Sequence, residues 1–242
     1  MPGSKDKSIK AYLASAIGKN GVILAAFALV TTALIALTFG ATRDKIEAEK
    51  EKQLLSVLNE LVPEDAHDNE LHLDCIIVTG DELLGTDTGE TQRIFRARMN
   101  QQPVAAIVET TAPNGYSGDI DLVVAVDAEN TSLGARVVEH KETPGLGDKI
   151  DLRVSDWILS FSGVSYSERS EQRWQVKKDG GQFDQFTGAT ITPRAVVDAV
   201  KNTVIYVSKH QQTIFETPSN CSADASKNLG VNNTVTSSDV GS

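Results

Sequence analysis

Between Gly21 and Gly40 the chain reads GVILAAFALVTTALIALTFG, twenty residues without a charge and with threonine as the sole polar type. A helix of about 20 residues, rising ~1.5 Å each, spans roughly 30 Å, the thickness of a bilayer's hydrocarbon core. A cleaved secretion signal is the alternative. Its apolar stretch is shorter, about 7–15 residues, and ends in a small-x-small site. Thr38-Phe39-Gly40-Ala41 matches that site poorly. We therefore read residues 1–20 as a short cytoplasmic N-terminus and 21–40 as an uncleaved transmembrane helix.

Charge divides at the same place. Residues 1–40 carry four lysines against one aspartate, and the remainder 19 basic against 32 acidic residues. An acidic soluble part argues against nucleic acid as a partner, since neutralising phosphates needs a basic surface. Four basic residues precede the span and four follow closely (Arg43, Lys45, Lys50, Lys52), the latter interleaved with Asp44, Glu47, Glu49 and Glu51. The positive-inside rule then leans toward a cytoplasmic N-terminus with the large domain outside.

Beyond the span, Arg43–Leu61 has the pattern of a helix with a broad apolar face, its charged first half suited to a solvated stalk and Pro63 ending it. The helical stalk is assigned to residues 41–63. Short strand-like segments follow at Cys75–Val78, Ile94–Met99, Val104–Glu109, Asp119–Val126 and Gly134–His140, separated by turn signals such as Pro113-Asn114-Gly115. A helix is expected over Ile150–Ser160 and a late strand over Arg173–Val176. A final helix carries Val196, Val197, Val200, Val204 and Val207 at spacings of three and four and runs to about Phe215. The pattern describes an α+β domain over residues 64–216 with a mainly antiparallel sheet. Residues 217–242 are small, polar and aperiodic, and are expected to be disordered.

Two cysteines, Cys75 and Cys221, are too few for an iron–sulfur cluster held by four thiolates. A disulfide and two separate thiols both remain open. His67, His72, His140 and His210 show no metal-ligand spacing.

Three segments have the composition of sites. In DQFTGATITPRAVV (Asp184–Val197), Thr192 reads as a helix N-cap and Pro193 as the first helical residue. Thr190 would then lie two residues before the cap, facing a helix N-terminus that stabilises anions, with Gly188 giving the turn its freedom. An ordinary capped turn and a phosphate site both fit. In HKETPGLGDK, Gly145 and Gly147 flank Leu146, so backbone N–H groups and one apolar side chain could meet a flat ligand; a plain loop is the alternative. In GYSGDIDLVVAVD, Tyr116 is expected to pack rather than to contact a ligand.

Taken together, and in this order behind one anchor, these three segments resemble the FMN-binding domain family of membrane redox pumps. The likeness is greatest to the G subunit of the Rnf/Rsx ion-translocating electron transport complex, with the C subunit of the sodium-translocating NADH:quinone reductase as a relative. It covers most of residues 1 to about 215. The family's string D-x-x-[ST]-G-A-[ST] is read by a flavin transferase that esterifies the FMN phosphate onto the final hydroxyl. The resemblance thus implies covalent FMN on Thr190, with Asp184, Thr187, Gly188 and Ala189 forming the recognition string. It also implies that the ETPGLG loop, with Glu142, Thr143, Gly145, Leu146 and Gly147, lies against the flavin. It implies a single-pass inner-membrane protein with a periplasmic flavin domain, the other subunits of the complex as partners, and electron relay by the flavin without catalytic side chains. A membrane-anchored flavin-binding sensor, or the quinone-reductase relative, would carry the same cofactor and stays as the alternative.

Overall fold

The computed structural model describes residues 4–86 and 90–221. Helix α1 (Ser4–Leu61) runs unbroken through the apolar span and the charged segment after it. Within it, Asn20–Arg43 is long and apolar enough to cross a membrane, and none of that stretch is buried by protein. Two threonines of the span, Thr31 and Thr38, bond their hydroxyls back to the helix itself. Thr31 donates to the Phe27 carbonyl at 3.0 Å and Thr38 to that of Leu34 at 2.8 Å. Internal satisfaction of this kind is what a lipid environment demands.

The chain divides into two compact units, residues 1–53 and 54–242. The second is built on six antiparallel strands in sequential order: β1 (Cys75–Thr79), β2 (Thr91–Met99), β3 (Gln102–Ala112), β4 (Ile120–Asp127), β5 (Thr131–Glu139) and β6 (Val164–Ser165). Asn100 and Gln101, both at positive φ, make the two-residue β2–β3 turn, the primed geometry that matches strand twist. Asp127 Oδ1 closes the β4–β5 turn by accepting from Glu129 N and Thr131 N. The five strands expected between Cys75 and His140 are all present; β6 is an addition, too short for its pattern to show.

The sheet is buried on both faces, which is why β4 reads LVVAV without alternation. One face (Ile94, Ala106, Val108, Ile120, Leu122, Val124) packs against α2 (Ile191–Glu216), whose Val196, Val200, Val204 and Val207 point inward. The other face, with Phe95, Ile107, Val123 and Ala125, is covered by Leu54, Leu58 and Leu61 from the end of α1. Fully burying one valine or leucine contributes about 1.5–3 kcal/mol, so these two stripes dominate the fold.

Two expected elements take other forms. Ile150–Ser160 is not an α-helix but two 3₁₀ turns, Asp148–Ile150 and Asp156–Phe161. The three-residue repeat of the second turn puts Ile158 and Phe161 on one side, both fully buried. Arg173–Val176 is not a strand. The alternate burial of Trp174 and Val176 serves an aromatic cluster, in which Phe161 stacks on Phe183 at 4.6 Å, and Val176 makes one isolated bridge to Phe183.

The last turn of α2 contains no basic residue. Cations arrive instead from β2. Arg96 Nη1 donates to Ile214 O at 3.0 Å, and Arg96 also reaches Thr217 O; Arg98 Nη2 donates to Phe215 O at 2.7 Å. Both guanidiniums pair with Asp74. Burial lowers the Arg96 pKa and the Asp74 carboxylate opposes that shift. Beyond α2 the chain lies along β1. Asn220 N donates to Cys75 O, Asn220 Oδ1 accepts from Ile77 N, and a Cys75–Cys221 disulfide joins the two segments with Cα atoms 5.6 Å apart. Of the tail assigned to 217–242, the part after Cys221 lies outside the described residues.

Candidate functional site

The segment Phe186–Ala189 is a β-turn. Ala189 N donates to Phe186 O at 3.2 Å, and Gly188 has φ +84°, the third-position conformation that glycine adopts without strain. Thr190 follows directly as the N-cap of α2, with helical φ and ψ, and its side chain makes no capping hydrogen bond. Its carbonyl accepts the first intrahelical bond, from Arg194 N. The expected cap at Thr192 is therefore displaced by two residues. Thr192 lies inside the first turn, completely buried, and its hydroxyl is spent elsewhere: Oγ1 donates to Glu142 Oε2 at 2.7 Å. Pro193 still falls within the first turn, where its missing N–H removes no bond.

Glu142 is 5% exposed and joins three segments. Besides Thr192, its carboxylate accepts from Ser117 N at 3.0 Å, tying in the loop before β4. Its own N–H donates to His140 Nδ1. The next residues form a second β-turn, in which Leu146 N donates to Thr143 O and Gly145 has φ +78°. Gly147 closes the loop so tightly that a Cβ there would sit 2.5 Å from Glu142 Oε2 and 2.9 Å from Thr192 Oγ1. The two turns meet at their tips: a Cβ on Gly188 would lie 3.5 Å from Leu146 Cδ2.

The fold thus brings the two candidate loops to the N-terminus of α2. Leu146 is 43% and Ile191 48% exposed, so apolar surface flanks Thr190. Tyr116, expected to pack, is instead 68% exposed on the neighbouring loop. Asp184 and Thr187 lie at the surface. The Asp184 carboxylate pairs with Lys177 at 2.6 Å, and its carbonyl accepts from Trp157 Nε1 at 2.8 Å. Trp157 also meets the Phe186 ring edge-on at 5.1 Å, so it braces the Phe186–Ala189 turn from outside the string. Sequence reasoning named Ser117 only within the turn Asn114–Gly118 and did not single out Trp157, for which the tryptophan in a polar-flanked SDWILS was the available signal.

The electrostatics of this end suit an anion. The first turn of α2 holds no acidic residue, and the N–H groups of Ile191 and Thr192 precede the first intrahelical donor. Arg194 is engaged with Asp179, whose carboxyl it holds below the usual range. Behind Glu142, the guanidinium of Arg153 holds the Asp151 carboxyl low, and His140 Nε2 lies 3.8 Å from Asp151. Among the described residues, no group of three or more His, Cys, Asp and Glu could hold a metal ion. An unspent hydroxyl at an uncapped helix N-terminus, beside exposed leucine and isoleucine, fits the phosphate and the flat ring of FMN.

This arrangement belongs to a recognised class. The FMN-binding domain family model matches residues 115–205, and that of the RnfG N-terminal region matches residues 10–61. The G subunit of the ion-translocating oxidoreductase complex of Pseudoalteromonas atlantica is 53% identical over 205 residues, covering 85% of this chain and 94% of that one. Its counterpart in Vibrio cholerae is 51% identical over 207 residues, covering 86% and 98%. That of Shewanella amazonensis is 49% identical over 203 residues, covering 84% and 94%. The chain belongs to the G subunit family of ion-translocating oxidoreductase complexes. The resemblance drawn from the three motifs is thereby met, and the quinone-reductase relative is set aside.

Proposed function

We propose that this chain is an electron-transfer subunit of an inner-membrane complex that couples redox chemistry to ion translocation, and that it carries FMN as a phosphoester on Thr190. The observation that carries the reading is the position of Thr190. Of the three threonines in TGATIT, Thr187 lies exposed on the turn and Thr192 is buried and bonded to Glu142. Thr190 alone joins a helix N-cap position to a side chain free of capping duty. The first-turn N–H groups offset part of a phosphate's charge there. Leu146, Ile191 and the turn at Thr143–Leu146 supply apolar surface and backbone for the ring. When bound, FMN supplies one- and two-electron redox chemistry, while the protein contributes binding, orientation and electrostatics.

A flavin transferase reading Asp184 to Thr190 would install the group, and the other subunits of the complex would be its redox partners. The Cys75–Cys221 disulfide supports placing the domain on the periplasmic side, because such bonds persist in oxidising compartments. Helix α1 would anchor it, with the N-terminus in the cytoplasm. The test is purification of the tagged chain from native membranes. Flavin fluorescence should stay with its band on a denaturing gel, and other membrane redox subunits should co-purify under mild detergent. A dark band, or a fluorescent chain that purifies alone, counts against the reading.

A further inference from the structure

We propose that Glu142 is the positioning residue of the acceptor site, acting on Thr190 through Thr192. This inference rests on the assignment of Thr190 as the acceptor. A carboxylate at 5% exposure is costly unless its oxygens are satisfied, and here each oxygen holds a donor from a different segment. Oε1 holds the backbone of Ser117; Oε2 holds the hydroxyl of Thr192. Gly147 is pressed against the same carboxylate, where no β-carbon has room. Gly115, on the first loop, is also close, since a Cβ there would lie 3.0 Å from Glu142 Oε1. One buried charge therefore sets the spacing of the loop before β4, the loop after β5 and the first turn of α2.

Thr190 is two residues from the Thr192 end of this clamp, on the same turn of backbone. Fixing Thr192 holds in place the backbone that carries the Thr190 side chain. It also removes the Thr192 hydroxyl from competition. The residues that a transferase would read, Asp184 before the turn and Thr187 on it, are both exposed, and Asp184 is braced by Lys177 and Trp157, not by Glu142. Recognition and alignment are thus carried by separate contacts. In the transfer, Thr190 Oγ1 forms the new bond to the FMN phosphorus of FAD and the pyrophosphate P–O bond breaks. AMP leaves, the hydroxyl proton passes to a base on the transferase, and no electrons change hands.

The experiment is transfer from FAD to the purified full chain in detergent, catalysed by the flavin transferase, at a temperature where circular dichroism shows every variant folded. Initial rates against chain concentration separate kcat from KM, and peptide mapping identifies the modified residue. Glu142→Ala should lower kcat at Thr190 by about tenfold or more, because small displacements of a reacting group are expensive. KM should stay within about threefold, since the recognition string is untouched. Glu142→Gln should recover kcat to within about threefold, its carbonyl accepting from Ser117 and its amide donating to the Thr192 oxygen. Thr192→Val removes the same bond from the other side and should reproduce the fall in kcat even if Glu142→Ala does not fold. Wild-type kcat in Thr192→Val, or a loss confined to KM, overturns the proposal. A wild-type chain that accepts no flavin overturns the acceptor assignment itself.

Discussion

Thr192 Oγ1 donates a 2.7 Å hydrogen bond to Glu142 Oε2, joining positions fifty residues apart at a point fully closed to solvent. Replacing Thr192 by valine preserves its shape and strands one carboxylate oxygen. An unsatisfied buried acceptor of this kind costs about 1–3 kcal/mol. Thr192→Ser keeps the bond and gives up one methyl group, worth about 0.8 kcal/mol. Urea denaturation of the detergent-solubilised chain should therefore rank wild type above serine and serine above valine.

Much of the fold is legible in the order of the amino acids. The uncharged run at 21–40, the β-branched segments from Cys75 to Glu139 and the valines of α2 each follow a local period, and local periods survive in tertiary structure. The elements that take other forms are those whose apolar residues answer to a remote partner. Ile158 and Phe161 serve an aromatic cluster completed by Trp174 and Phe183, so neither the helical nor the strand period applies. The candidate site shows the same division. Thr190, Gly188 and the ETPGLG loop stand out as motifs, and the fold brings the two turns together at Leu146 and Gly188. The role of Thr192 does not show, because a threonine before proline looks like a cap until a carboxylate fifty residues away claims its hydroxyl.

Arg96 is 2% exposed and holds the end of α2 through Ile214 O and Thr217 O while paired with Asp74. Arg96→Met keeps the apolar length of the side chain but leaves Asp74 and two carbonyls without that donor. Removing one partner of a buried pair costs about 3–5 kcal/mol. Thermal melts should show this as a large loss, and amide exchange should quicken first in the last turn of α2.

The Cys75–Cys221 disulfide closes a loop of 146 residues and pins the segment that covers the edge of β1. Cys221→Ser should cost about 2–5 kcal/mol, as loss of a long-loop disulfide does. It should also raise the exchange rate of the Ile77 amide, which donates to Asn220 Oδ1. Slow exchange at Ile77 in the serine variant would show that the segment holds without its tether.

Asp121 lies in a groove of about 640 Å³ with Glu109, Asp119 and Glu139. Although the side chain keeps solvent exposure, partial desolvation in the groove raises its pKa, those carboxylates add to the rise, and the hydroxyl of Thr111 opposes it. A carboxyl whose folded pKa is raised favours folding while protonated. That advantage is complete below its ordinary value of 3.8 and is lost as pH climbs through the raised folded value. Asp121→Asn should accordingly be more stable than wild type at neutral pH and lose that lead when the pH falls below the ordinary value. Melting curves across roughly pH 3–8 read the difference.

Whether Thr190 bears the flavin is the point on which the functional reading turns, and mass spectrometry of the proteolysed native chain answers it directly. The expected result is an FMN phosphoester on the peptide containing Thr190, retained in Thr190→Ser and absent from Thr190→Ala. A flavin found on Thr187 or Thr192, or one that survives Thr190→Ala, would contradict it.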